Sequence, residues 1–315
     1  MTATEQIFYP ALGKSLEDVQ KTLNGSILVV PTVSVANVPQ LAIDLLIHSL
    51  GLTLVGRLSD KYLYPFAGPR DAPSLPTPTT PISSGISTAI EVYNSPKLNL
   101  TVIQLRAPPL PNCRRAFVRS TLAPFVSQFK FSETIVAGSS NAALSEAVPP
   151  PRFKLFHKKS GPSADLAGVD SLSSRLAGLS IGKDLAGEMA SEAPLSPVEL
   201  PESGFTLDAL VEIAALQGPS ISGQSTSTGK PTLAKVCAAV IYVYEGDNFY
   251  DAHEFADRLA AVCGLDVSAV KSALPQPPKK RHATGEEPPK WVEPLSWQGV
   301  YGKEIPIGLE EGLYS

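Results

Sequence analysis

The stretch spanning residues 25–57 constrains the fold of this chain more than any other. It opens with Ile27-Leu28-Val29-Val30-Pro31-Thr32-Val33, an apolar run rich in β-branched residues and of the right length for a strand buried on both faces. After Ser34-Val35-Ala36-Asn37 the period changes, and Val38, Leu41, Ala42, Leu45, Leu46 and Ser49 recur at helical spacing. Asn37 is placed to cap that helix, and Pro39 suits its first turn, where an amide proton is not needed. Gly51 is the stop signal, and Leu52-Thr53-Leu54-Val55-Gly56 reads as a second strand. Strand, helix and strand in about thirty residues make a βαβ unit, which calls for a parallel or mixed sheet covered by helices.

The remaining chain repeats this alternation. Residues 86–93 and 98–105 read as strands of a meander joined by the turn residues Asn94-Ser95-Pro96. Residues 113–129 read as a helix that Pro124 kinks or splits, followed by a strand at 131–137 that ends in a turn at Gly138-Ser139-Ser140-Asn141. A short strand is expected at 153–156. A helix is expected from Phe205 to Leu216, capped by Thr206 or Ser203 and stopped at Gly218-Pro219. In 232–244 the positions Leu233, Val236, Cys237, Val240, Ile241 and Tyr244 favour a helix, although Val240-Ile241-Tyr242-Val243-Tyr244 alone reads as a strand. A further helix over 251–263 stops at Gly264, so that two consecutive helices would form one covering layer. The predicted class is α/β, a central parallel or mixed β-sheet flanked by helices on both faces.

Thirty prolines and twenty-three glycines require that part of the chain be loop. They concentrate in a flexible loop at about 69–85 and in an insertion at about 158–199 that reads as disordered. The predicted organisation is one α/β domain over residues 1–274, a linker at 275–290, a segment at 291–306 whose Trp291 and Trp297 dock on the core, and an exposed C-terminal tail at 307–315. No apolar run is long enough to span a membrane and no signal pattern opens the chain, so a soluble intracellular protein is expected. Cys113, Cys237 and Cys263 form no close pair, which suits reduced thiols. A net charge of −4 argues against a general nucleic-acid surface. Lys279-Lys280-Arg281-His282 reads as a solvated loop, with a nuclear address or an interaction patch as its functional alternatives.

Few residues point to chemistry. No glycine-lysine spacing fits a phosphate loop, and the four histidines (His48, His157, His253 and His282) are scattered with no close His/Cys/Asp cluster, so no metal or cofactor is expected. His48 suits the last turn of its helix, His253 reads as a surface residue, and Asp44 as a solubilising residue on a polar helix side. Gly138-Ser139-Ser140-Asn141 lacks both the form of a nucleophile elbow and a visible base. Tyr62, Tyr64 and Phe66 either stack on a partner or close the edge of the core. These residues favour a protein that binds another protein. The alternative is an α/β enzyme of hydrolase type whose site forms no local motif.

Several strings carry a resemblance to a known family. They are Pro31-Thr32-Val33-Ser34-Val35-Ala36-Asn37-Val38-Pro39-Gln40-Leu41-Ala42-Ile43-Asp44-Leu45-Leu46, Glu91-Val92-Tyr93 and Val102-Ile103-Gln104-Leu105-Arg106, with Tyr244-Glu245-Gly246-Asp247-Asn248, Asp251-Ala252 and Pro294-Leu295-Ser296-Trp297. In these the chain resembles the proteasome assembly chaperone 2 family, in its fungal type. The resemblance implies a non-catalytic chaperone of 20S proteasome assembly, cytoplasmic and nuclear. It implies a heterodimer with a homologue of proteasome assembly chaperone 1, seated on the outer face of the ring of proteasome α-type subunits, with neither nucleic acid nor membrane as partner. The family's hydrophobic-tyrosine-any-residue ending is matched by Leu313, Tyr314 and Ser315. Leu313 would fill an apolar slot, Tyr314 would position the chain, and the Ser315 carboxylate would meet a lysine between two α subunits. Asn37, Gln40, Asp44 and Arg106 also fall in the matched strings, as caps, turns and a strand end or as partner contacts. The stretches at 69–85 and 158–199 exceed the family's usual connections, and nothing carries over to them.

Overall fold

The computed structural model describes residues 6–72, 85–144, 152–157, 192–194, 204–216, 235–266 and 291–297. The linker at 275–290, most of the insertion at 158–199 and the tail at 307–315 lie outside the described residues, as do Ser203 and Lys279-Lys280-Arg281-His282.

In chain order the strands are β1 (Phe8–Pro10), β2 (Ile27–Pro31), β3 (Thr53–Leu58), β4 (Ala67–Pro69), β5 (Ile86–Thr88), β6 (Ile90–Ser95) and β7 (Leu100–Leu105). They continue with β8 (Glu133–Asn141), β9 (Phe153–His157), β10 (Glu192–Pro194) and β11 (Lys235–Val243). The helices are α1 (Leu16–Leu23), α2 (Val38–Leu50), α3 (Arg114–Phe117), α4 (Ala123–Phe129), α5 (Gly204–Ala215) and α6 (Phe249–Val262). Nine strands form one mixed sheet in the order β1-β3-β6-β7-β2-β8-β11-β9-β10, and β4 pairs with β5 apart from it.

β2 pairs in parallel with β7 on one side and β8 on the other, and β8 pairs in parallel with β11. β3, β6 and β7 alternate in direction, so β3 runs the same way as β2 although the β6–β7 hairpin separates them. The βαβ reading of residues 25–57 therefore holds in direction but not in adjacency. Side chains alternate across the sheet, and both sides are dry. Val29, Val102, Ile135 and Ala239 pack beneath α2 and α6, whereas Leu28, Val30, Ile103, Val136 and Val240 pack beneath α1, α4 and α5. Phe8, Phe125, Phe129 and Phe131 form an aromatic cluster in the second layer, with neighbouring ring centroids 4.9–6.5 Å apart.

Several local expectations are corrected. The segment 232–244 supplies a central strand, β11, and not a helix. Cys237, Ala239, Ile241 and Val243 face one layer, and Ala238, Val240 and Tyr242 face the other. A strand apolar on both faces shows no polar residue to betray its period, so helical matches arise by default. The covering layer expected from two consecutive helices is instead made by α2 and α6. The turn predicted at Gly138-Ser139-Ser140-Asn141 is the end of β8, held by continued parallel pairing with β11. Thr206 does not cap α5; its hydroxyl lies 2.7 Å from that of Thr32, inside the core. The expected strand at 86–93 divides because β4 pairs its first part and β3 and β7 pair the rest.

The helix predicted over 113–129 is divided by a π turn at Val118–Leu122. That wide turn opens the carbonyl ladder ahead of Pro124, which has no amide proton and whose ring would strike the carbonyl four residues back. Part of the insertion also returns to the sheet, where β10 pairs in parallel with β9.

Gly138 permits the close approach of α5 to β8, since a Cβ there would lie 2.3 Å from Thr206 Oγ1. Gly138→Ala should destabilise the fold by about 1–3 kcal/mol, the usual range for overpacking, read as a lower urea midpoint with an unchanged slope.

Candidate functional site

The shared direction of β2, β3, β7, β8 and β11 gathers their carboxyl ends along one edge, where open α/β sheets place their binding crevices. Here β2 passes into α2 through a bend in which Ala36 and Asn37 take left-handed backbone angles, φ 56° and 52°. For alanine that conformation costs on the order of 1–2 kcal/mol. It also leaves the Asn37 side chain without the expected capping hydrogen bond, although Asn37 does occupy the N-cap position. The bend is fixed from outside. The Ser139 amide donates to Ser34 Oγ at 2.9 Å, and Ser139 Oγ donates to the Val35 carbonyl at 2.6 Å.

Beside the bend lies a cavity of about 360 Å³, lined among others by Asn37, Gln40, Asp44, Phe66, Gln104 and Arg106. Asp44 is only 5% exposed, which corrects its reading as a solubilising surface residue. Its Oδ1 accepts from Gln104 Nε2 at 2.5 Å and from Arg106 Nη2 at 3.0 Å. Gln104 Nε2 also donates to the Gln40 carbonyl at 3.1 Å, tying β7 to the first turn of α2. Burial raises the Asp44 carboxyl above the ordinary range, opposed by Arg106, His48 and Gln104. Burial also works against the Arg106 cation, but Asp44 and its other anionic neighbours outweigh it and raise the guanidinium. Both polar atoms of the Gln40 carboxamide, and Arg106 Nε, are buried with no hydrogen-bond partner.

A short arm of β4 and β5 stands at the same edge. It leaves Tyr64 (44%), Phe66 (39%) and Ile86 (59%) exposed, whereas Leu63 is buried and Tyr62 packs against the core. Of the aromatic cluster in the sequence, Tyr62 closes the edge of the core, whereas Tyr64 and Phe66 are exposed. Tyr244 and Tyr250 are exposed beyond the carboxyl end of β11.

The histidines are less isolated than the sequence suggests. Potential ligand atoms of His48, Asp44 and Asp71 lie within 4.8 Å of one another. The donor set does not suit a metal: the Asp44 oxygen already takes Gln104 and Arg106, and the Asp71 oxygens take the Ala72 amide and Ser296. A guanidinium beside the cluster also opposes a cation. Burial lowers the pKa of His48, against the pull of Asp44 and Asp71. Asp71 helps to fasten residues 291–297 across the core. Trp291 is fully buried with its Nε1 donating to Asp257 at 2.8 Å, and the Val292 amide donates to Ser49 Oγ at 2.7 Å. His253, read as a surface residue, is partly buried and bonds Glu293 at 3.0 Å. Leu313, Tyr314 and Ser315 lie outside the described residues.

The structure therefore joins Asn37, Gln40, Asp44 and Arg106 from two separate sequence strings and adds Gln104 and Phe66 to them. One signal for Asp44 was available: it is the single charge within Leu41-Ala42-Ile43-Asp44-Leu45-Leu46-Ile47, and a charge enclosed by apolar residues needs a partner. Among the described residues, no helix is long and apolar enough to cross a membrane.

A model of the PAC2 family matches residues 28–201, a span that includes all of these residues. The chain is 34% identical over 125 residues to proteasome assembly chaperone 2 of Danio rerio, a match covering 40% of this chain and 46% of that protein. The chain thus aligns with about half the length of that relative. It is 27% identical over 286 residues to proteasome assembly chaperone 2 of Saccharomyces cerevisiae, covering 88% and 95%. Among solved structures it is similar to Pyrococcus furiosus PbaA, described as an archaeal homolog of proteasome-assembly chaperone, with a TM-score of 0.47, 12% identity and coverage of 85% and 87%. Yeast and fish relatives together single out no fungal lineage.

Two expected outcomes follow from the buried network. Arg106→Leu, which strands the Asp44 carboxylate, should cost about 3–5 kcal/mol in urea unfolding, and adding Asp44→Leu should recover most of that loss. A histidine whose folded pKa is lowered contributes stability that is present above its unfolded value of about 6.5 and is lost as pH falls through the folded value. His48→Gln should therefore shrink the drop in urea midpoint that the parent protein shows on acidification from about pH 7.5 to about pH 5.5.

Proposed function

The chain belongs to the PAC2 family, and from that premise we propose that it is a non-catalytic chaperone of 20S proteasome assembly. The observation that carries this is the family match over residues 28–201, extended by a 286-residue alignment with a yeast protein that bears the name proteasome assembly chaperone 2. On this reading the chain forms a heterodimer with a homologue of proteasome assembly chaperone 1 and works in the cytoplasm and nucleus. The pair sits on the outer face of the α-subunit ring and promotes its formation.

Leu313, Tyr314 and Ser315 are the ring-binding residues of this proposal. The leucine fills an apolar slot, the tyrosine orients the chain, and the terminal carboxylate pairs with a lysine between two α subunits. The docked segment at 291–297 supports this division of labour, because it fixes the chain to the core just before it continues toward the tail. The chemistry of the cavity gives little support to the hydrolase alternative. Asp44 is engaged by Gln104 and Arg106, which leaves it ill suited to serve as a base.

Co-expression with the related chaperone, followed by capture of that protein and of α-ring subunits, tests the proposal. Deleting Leu313, Tyr314 and Ser315 should weaken ring capture about thirtyfold, the loss of roughly 2 kcal/mol expected for a central anchor, while the partner chaperone stays bound. Capture of neither protein by the intact chain would defeat the chaperone reading.

A further inference from the structure

Residues 291–297 make two sets of contacts. One set fixes them to the layer of α2 and α6. Trp291 is fully buried with its indole N–H on Asp257, and the Val292 amide donates to Ser49 Oγ. Glu293 meets His253 at 3.0 Å, and the Trp297 ring lies 4.8 Å from that of Phe249. The other set reaches a different element. The Leu295 amide donates to the Ala72 carbonyl at 2.8 Å, and Ser296 Oγ donates to Asp71 Oδ2 at 2.6 Å. The Ser296 amide donates to Asp71 Oδ1 at 3.3 Å.

Asp71 and Ala72 are the root of the arm, just beyond the end of β4. The two strands of the arm have three residues each and pair with one another apart from the nine-stranded sheet. A two-stranded ribbon of that size is not stable alone in water. β5 runs almost directly into β6, whereas β4 enters from Phe66 and leaves through Arg70-Asp71-Ala72. On the sheet side β4 is held by Arg70, which donates to the Tyr93 hydroxyl at 3.1 Å and pairs with the buried Glu91 at 3.4 Å. On the other side stand the three hydrogen bonds from residues 295 and 296. Phe66 lines the cavity, so the placement of β4 shapes the wall of the cavity.

We propose that residues 291–297 act as a clasp: docked on α2 and α6, they hold β4 in place beside the cavity, and clasp and arm order and release together. Two elements coupled in this way act on each other equally. Whatever displaces the clasp loosens the cavity wall at Phe66, and an occupant that shifts the arm loosens the clasp. The proposal requires no particular partner and is independent of the chaperone reading.

The test is hydrogen exchange read by mass spectrometry on the full-length chain. Ser296→Ala removes the shortest of the three bonds and leaves both tryptophans seated. Exchange at residues 67–72 should quicken about fivefold, the weight of one net hydrogen bond, with β2 and β8 unchanged. Trp297→Ala, which unseats the clasp, should quicken it roughly tenfold or more. Phe125→Leu, in the opposite layer, controls for general loss of stability and should not favour 67–72 over β2. In return, Arg70→Ala, which frees β4 from the sheet, should quicken exchange at residues 295 and 296. Unchanged exchange at 67–72 in Ser296→Ala and Trp297→Ala, or a change equalled by Phe125→Leu, would overturn the proposal. So would an Arg70→Ala chain that loses protection at 67–72 and keeps it at 295 and 296. If Trp297→Ala fails to fold, Ser296→Ala and Arg70→Ala decide the matter between them.

Discussion

Burial of β2 on both faces and along both edges is the constraint on which the rest of the molecule depends. Its neighbours β7 and β8 are both parallel to it, so no turn can join them directly and each connection must cross a face of the sheet. The crossings supply α2, α4 and α5, and α1 before β2 and α6 after β11 complete the cover of the two faces. The same geometry leaves the carboxyl ends of five strands at one edge, where the chain must leave the sheet and enter α2 within a few residues. The left-handed pair Ala36 and Asn37 makes that sharp exit, and Ser139 of β8 braces it through its amide and its hydroxyl.

A buried helix so close to the strand ends has little room for charge, yet α2 carries Asp44 in its interior. Arg106, the residue that follows β7, and Gln104 within β7 are what make that tolerable. Removing one partner from such a group is far more damaging than replacing all of them with apolar residues, so the network specifies how β7 meets α2 more than it adds net stability. Satisfaction is incomplete: the Gln40 main chain accepts from Gln104, but both polar atoms of its side chain and Arg106 Nε have no partner.

Much of this was legible in the sequence, and the failures share one cause. Residues 27–58 could be read because strand and helix there differ in period, and because Pro39 and Gly51 mark the ends of the helix. Gly51 does adopt the left-handed angle its role requires, φ 62°. β11 was misread because both of its faces are dry, and the end of β8 because glycine and serine signal a turn unless a helix needs to approach closely. Thr206 fills the space above Gly138, and no local pattern announces that. The candidate site was half visible. Asn37, Gln40, Asp44 and Arg106 all stood in conspicuous strings, but their convergence depends on β2 and β7 being neighbours. That pairing joins residues some seventy positions apart, and periodicity carries no information about it.

Residues 291–297 bring a second part of the chain to the same site. Ser296 bonds Asp71, and Asp71 lies beside Asp44 and His48, so this segment passes close to the cavity. Trp291 and Trp297 anchor it by burial in the layer formed by α2 and α6. The Trp291 indole is buried with its N–H donating to Asp257, so its apolar area holds the segment in place without stranding a donor. The segment thus closes the layer over α2 from outside, while Gln104 and Arg106 hold α2 from the sheet.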